Sequence, residues 1–241
     1  MSKETAFVDL HEGNDISLHG AALAAGLGLI LMFVPAIFAN FLVINGIVVP
    51  GDATATAAKV QVNEMQFRLG ILSILFVIVL DVIVAWGLYV FYKPANKSLS
   101  LLTGWFRLVY AALFGVALFN LLNVLPLVGA AEFAGMETQV LIWLNAFSDQ
   151  WSVGLSVFGV HLILLGYVAF KSGYTPKILG ILLVIAGLGY VVDSLAALML
   201  PQAGIAIGMF TFFGEMFLAV WLVVKALRSK TWPQAVLQTA S

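Results

Sequence analysis

Apolar positions run almost unbroken through six stretches of this chain: about 20–49, 67–92, 100–128, 151–170, 177–199 and 205–227. Crossing the hydrocarbon core of a bilayer takes roughly 20 helical residues, so each stretch predicts a transmembrane helix. A buried helix of a soluble bundle explains one or two such runs, but not six in succession. The links between them carry turn chemistry. KPANKS and KSGYTPK put Pro and Gly at helix ends, and Pro-Gly-Asp opens a longer link in which Asp52 is placed to cap a short interfacial helix. Residues 138–149 fit two readings, an interfacial segment or an extension of the fourth helix. Trp105, Trp143, Trp151 and Trp232 fall near span ends, as an aromatic belt would.

Six spans put both termini on one side. That side receives Lys3, Lys93, Lys97, Lys171, Lys177, Lys225, Arg228 and Lys230, whereas the other receives only Lys59 and Arg68. Basic residues concentrate on the cytoplasmic face, so both termini are expected there. The expected fold is therefore an all-α polytopic transmembrane bundle in the cytoplasmic (inner) cell membrane. It divides into a tail at 1–19, a single membrane domain at 20–228 and a tail at 229–241. The polar, mildly acidic opening has no basic n-region, so the first helix is expected to act as its own uncleaved insertion signal.

Composition narrows the chemistry. The chain is 62% hydrophobic and only 10% charged, with mean hydropathy +1.07, and soluble domains run near a quarter charged. Little of the sequence lies outside the spans, which leaves no room for a soluble catalytic domain. Without cysteine there are no disulfides, thiolate metal sites or iron–sulfur clusters. A net charge of −1 and no basic stripe argue against a nucleic-acid partner. The expected partners are membrane lipids and a small-molecule ligand; nothing in the sequence speaks for a homo-oligomer. Haem between spans commonly needs two facing histidines, and no second histidine matches His161 in depth. HExxH, Walker, GxGxxG and GxSxG patterns are absent from the sequence. His161, Asp193 and Glu215 would form a zinc ligand set only by a coincidence of packing. No cofactor, metal or catalytic residue is expected.

Charge within the greasy stretches is the informative feature. Residues 67–81 read FRLGILSILFVIVLD, and residues 106–120 echo them as FRLVYAALFGVALFN. An inverted repeat and chance both explain the echo. Arg68, Asp81, Arg107, His161, Asp193 and Glu215 lie on or at the edges of spans, where a central Asp, Lys or Arg costs about 2.5–3.5 kcal/mol. Such groups need to face the bundle. Gly70, Asp81 and Ala85 share a helical face, as do Ala186, Gly189, Asp193 and Ala197, and Gly208, Thr211, Glu215 and Ala219. Small residues let helices approach closely in lipid, so each acid lies on an expected packing seam. Depth then pairs Arg107 with Asp81 first and Arg68 with Asp193 second, and leaves a Glu215–His161 hydrogen bond open. Asn40 and Asn45 are weaker candidates of the same kind. So are Asn120 and Asn123, which are read as sharing a face.

FRLG with a following Asp, KPANKSLSLL leading to FRLVYAA, HLILLGYVAFKSGYTPKILGILLVIAGLGYVVDS and a late Gly-Glu together resemble one bacterial family. It is the six-span domain of unknown function 4386 family, and the resemblance runs from about residue 18 to 227. It implies that Arg68, Asp81, Arg107, His161, Asp193 and Glu215 are motif positions. It implies no activity, because the family has none agreed. The leading functional reading is a non-enzymatic membrane protein whose buried polar site binds or moves a small solute or lipid. The alternatives are a structural or accessory subunit whose charges only fix helix packing, and an intramembrane enzyme.

Overall fold

The computed structural model describes residues 16–128, 135–200, 207 and 213–228. Among them the chain is helical and contains no strand. The helices are α1 Leu18–Ile47, α2 Ala53–Val62, α3 Glu64–Tyr92, α4 Lys97–Val128, α5 Glu137–Lys171, α6 Lys177–Met199 and α7 Phe213–Arg228. Five of these, α1 and α3 to α6, are long and apolar enough to cross a membrane. The sixth expected span is described only in part, as the 16 residues of α7. The tails expected at 1–19 and 229–241 lie almost wholly outside the described residues.

The starts of α1, α2 and α4 follow from side chains that satisfy otherwise orphaned N–H groups. Ser17 Oγ accepts from Gly20 N at 3.1 Å, and Asn96 Oδ1 from Leu99 N at 2.9 Å. Asp52 Oδ1 accepts from Ala55 N at 2.8 Å, capping α2 as its sequence predicts. Pro35 interrupts the ladder of α1, and the helix then widens to a π-helix over Phe38–Ile44. Carbonyls near this loosened turn find side-chain donors: Gln66 Nε2 donates to Leu42 O, and Lys59 Nζ to Gly46 O.

The open question over residues 138–149 resolves into one helix, since α5 runs 35 residues without a break. At 1.5 Å per residue that is about 50 Å, well beyond a ~30 Å hydrocarbon core. Val140, Leu144 and Phe147 form a buried stripe in this stretch, while Asn145, Ser148, Asp149 and Gln150 are exposed. The segment is amphipathic, which breaks the apolar run without ending the helix. Helix α2 packs against α5.

Six helices close a ring. Helix α1 packs on α3, α3 on α4, α4 on α5, α5 on α6, α6 on α7, and α7 back on α1. The ring is turned inside out relative to a soluble bundle. On α3, Leu69, Leu72, Phe76, Val79, Ile83 and Trp86 form an exposed apolar stripe, while Asp81 is buried with Ile74, Val77 and Val84. Large apolar side chains outward and an acid inward is the arrangement that lipid selects.

The tightest seam joins α5 to α6. A Cβ on Gly166 would lie 2.5 Å from Gly180 O, and one on Gly187 would lie 2.5 Å from Gly159 O. Gly159 faces Gly187 and Gly166 faces Gly180, so the two crossings lie two turns apart in antiparallel register. Only glycine permits this approach, which dispersion contacts between the two backbones then stabilise. The turn joining these helices carries Gly173 at φ +77°, a left-handed conformation that favours glycine.

Candidate functional site

Arg107 lies on α4, Asp81 on α3, His161 on α5 and Glu215 on α7. Counted from Lys97, Tyr92, Lys171 and Arg228, they sit about 15–20 Å along their helices, which places all four at a common depth. The ring therefore brings these four side chains to one point. Arg107 is 1% exposed and Asp81 2%.

Every guanidinium N–H meets an acceptor. Nε lies 2.9 Å and Nη2 2.7 Å from Asp81 Oδ1. The second Nη2 hydrogen is within reach of Met32 Sδ on α1, at 3.8 Å. Nη1 donates to Glu215 Oε1 and faces His161 Nε2 at 3.3 Å. Five donors in a planar fork are thus used completely. The face of the fork is covered as well, with its central carbon 5.3 Å from the Phe158 ring centroid. One side chain on α4 ties down α1, α3, α5 and α7.

His161 is oriented from behind. Its Nδ1 lies 2.8 Å from Thr103 O, one turn before Arg107 on α4. A carbonyl only accepts, so Nδ1 carries the proton and Nε2 presents its lone pair to Arg107. The cluster then holds one positive charge, on Arg107, against two carboxyl groups.

Glu215 differs from its neighbours. Its side chain is 20% exposed, and it borders a cavity of about 130 Å³ together with Met32, Phe33, Ala36 and Met216. A second cavity, of about 90 Å³, is also lined by Ala36, together with Asn40, Tyr110, Phe114, Phe147 and Trp151.

Other expected contacts form differently. Arg68 does not reach Asp193: its Nη2 pairs with Glu64 Oε1 at 2.7 Å, one turn back on the same helix and partly exposed. Asp193 Oδ1 instead accepts from Ile207 N at 2.7 Å. Glu215 and His161 do not bond to each other, because Arg107 Nη1 lies between them and takes both. The Asn120–Asn123 face divides. Asn120 is buried and donates to Ala117 O and Gln150 Oε1, whereas Asn123 is exposed. The two FRL arginines occupy opposite environments, so the echo marks no shared role. Gly208 and Thr211, assigned to the Glu215 stripe, lie outside the described residues. Among the described residues no three His, Asp or Glu side chains gather as a metal-ligand set.

Met32, Thr103 and Phe158 were not anticipated. Thr103 precedes Arg107 by four residues and Phe158 precedes His161 by three, a helical spacing that gives a usable signal. Met32 carries none, being one apolar residue within an apolar run.

Among the described residues the fold is all-helical, with helices long and apolar enough to cross a membrane arranged around one buried arginine. The family model "Domain of unknown function (DUF4386)" matches residues 24–226, and the chain belongs to that family. It is also 41% identical over 155 residues to an uncharacterized protein of Archaeoglobus fulgidus, covering 64% of this chain and 82% of that one. No solved structure matches.

Proposed function

We propose that this is a six-span protein of a prokaryotic cytoplasmic membrane, with both termini cytoplasmic, that binds or moves a small solute at the cavity beside Glu215. Asp81, Arg107 and His161 form the fixed base of this site, and Glu215 is the arm that meets the solute. The observation that carries the reading is the difference in exposure within one ion cluster: three members are dry, and the fourth borders a cavity. Binding is favoured over catalysis because the polar atoms of the base are spent on one another. A second reading, in which the charges only fix helix packing, draws support from the saturation of Arg107.

Cysteine accessibility separates the two. The chain has no cysteine of its own, so Ala219→Cys in the cavity wall and Leu165→Cys in the dry core give clean comparisons. A small water-soluble thiol reagent should modify the first in membranes and spare the second. Protection of both would leave helix packing as the account.

A further inference from the structure

Two cavities meet at one alanine. Ala36 lines the space beside Glu215 and also the aromatic space bounded by Tyr110, Phe114, Phe147 and Trp151. A methyl group is the smallest side-chain wall that α1 can offer between them. Just beyond Ala36 the helix becomes the π-helix Phe38–Ile44. Widened turns of this kind occur often at functional sites, and Ala39, Asn40 and Ile44 of this one line the aromatic cavity.

The chemistry of the two spaces differs. Beside Glu215 stand a carboxyl group and two methionines, Met32 and Met216, whose unbranched thioethers adapt to varied shapes. Beyond Ala36 stand four aromatic rings, with Phe114 and Trp151 stacked at 5.5 Å. Charge selects the ligand class. An anion would meet the Glu215 carboxyl group and find no cationic donor, because all five Arg107 N–H groups are engaged and the polar groups across Ala36, on Asn40, Tyr110 and Trp151, are uncharged. A cation would meet the Glu215 carboxyl group, whose counter-charge, Arg107, is shared with Asp81. Each cavity is smaller than the ~300 Å³ at which drug-sized sites begin, so head and body must both be small.

We propose that the two cavities form one site for a small lipophilic organic cation, with its ammonium on Glu215 and its apolar body past Ala36 among the aromatic rings. This rests on the reading of the Glu215 cavity as a solute site. Ala36 sets the length of ligand accepted. Glu215 sets its charge.

Calorimetric titration of the protein in nanodiscs tests this, with phenylethylammonium, its neutral isostere phenylethanol and the head-only methylammonium as probes. Phenylethylammonium should bind at least about tenfold more tightly than phenylethanol, as expected for a charge that finds a partly desolvated partner. Glu215→Gln should erase that preference and also controls for partition into lipid. Ala36→Leu should weaken phenylethylammonium and leave methylammonium unchanged. Phe147→Ala provides the same comparison if Ala36→Leu does not fold. Equal binding of the charged and neutral probes overturns the proposal, as does indifference to both Ala36→Leu and Phe147→Ala. Binding of methylammonium alone, or of no probe while Ala219→Cys is still modified, overturns the ligand class and leaves the solute cavity standing.

Discussion

His161 and Arg107 meet through the imidazole lone pair: Nε2 faces Nη1 at 3.3 Å while Nδ1 donates to Thr103 O at 2.8 Å. A histidine beside an arginine in a dry interior avoids repulsion only when its ring is neutral and turned this way. Nitrogen-15 NMR of histidine-labelled protein should therefore show His161 as the Nδ1–H tautomer. An Nε2–H tautomer would contradict the geometry.

Arg107 and Asp81 should behave as a coupled pair. Removing one member of a buried ion pair leaves an uncompensated charge and typically costs about 3–5 kcal/mol. Unfolding of Arg107→Ala, Asp81→Ala and the double variant in detergent measures the coupling. The double variant should be no less stable than the worse single one. Losses that simply add would show that the two residues act independently.

The glycine crossings give a sharper test of packing. Gly166→Ala drives a methyl group against Gly180 O, and overpacking of this kind costs about 1–3 kcal/mol. Gly115→Ala on α4 meets nothing within 4 Å, so it should be neutral or stabilise by up to about 1 kcal/mol. Thermal unfolding of both variants decides the matter; equal losses would mean that the α5–α6 seam is not this close.

Topology is tested separately. Reporter fusions after Ser98, Lys177 and Ser241 should all report the cytoplasm, as the lysine and arginine bias requires. A signal from the opposite side at any of them would refute six spans with cytoplasmic termini.

Much of the arrangement is legible in the residues. Unbroken apolar runs locate the long helices, and depth along them picks out Asp81 as the partner of Arg107. Depth alone misassigns Arg68, because a partner one turn away on the same helix competes better than one across the bundle, and Glu64 holds that position. It also places Glu215 and His161 at the right level without revealing that one arginine stands between them. Lateral position around a helix ring depends on which helices are neighbours, and no single span encodes that. The start of α5 escapes hydropathy because its polar residues face outward while Val140, Leu144 and Phe147 hold the seam. Gly159, Gly166, Gly180 and Gly187 carry their antiparallel register openly in their spacing, once close helix approach is the question asked.

Arg107 has one fully buried carboxyl partner, Asp81, and one that borders a cavity, Glu215. Asp81→Asn and Glu215→Gln, compared by unfolding in detergent, test this difference most directly, since each exchanges a carboxylate for an amide of nearly equal shape. Asn at 81 takes the counter-charge from the dry side of the guanidinium, and a loss of about 3 kcal/mol is expected for breaking a buried pair. Gln at 215 still offers its oxygen to Nη1 and borders a cavity, so its loss should be clearly smaller than that at Asp81. Equal losses, or a greater loss at Glu215, would contradict the account.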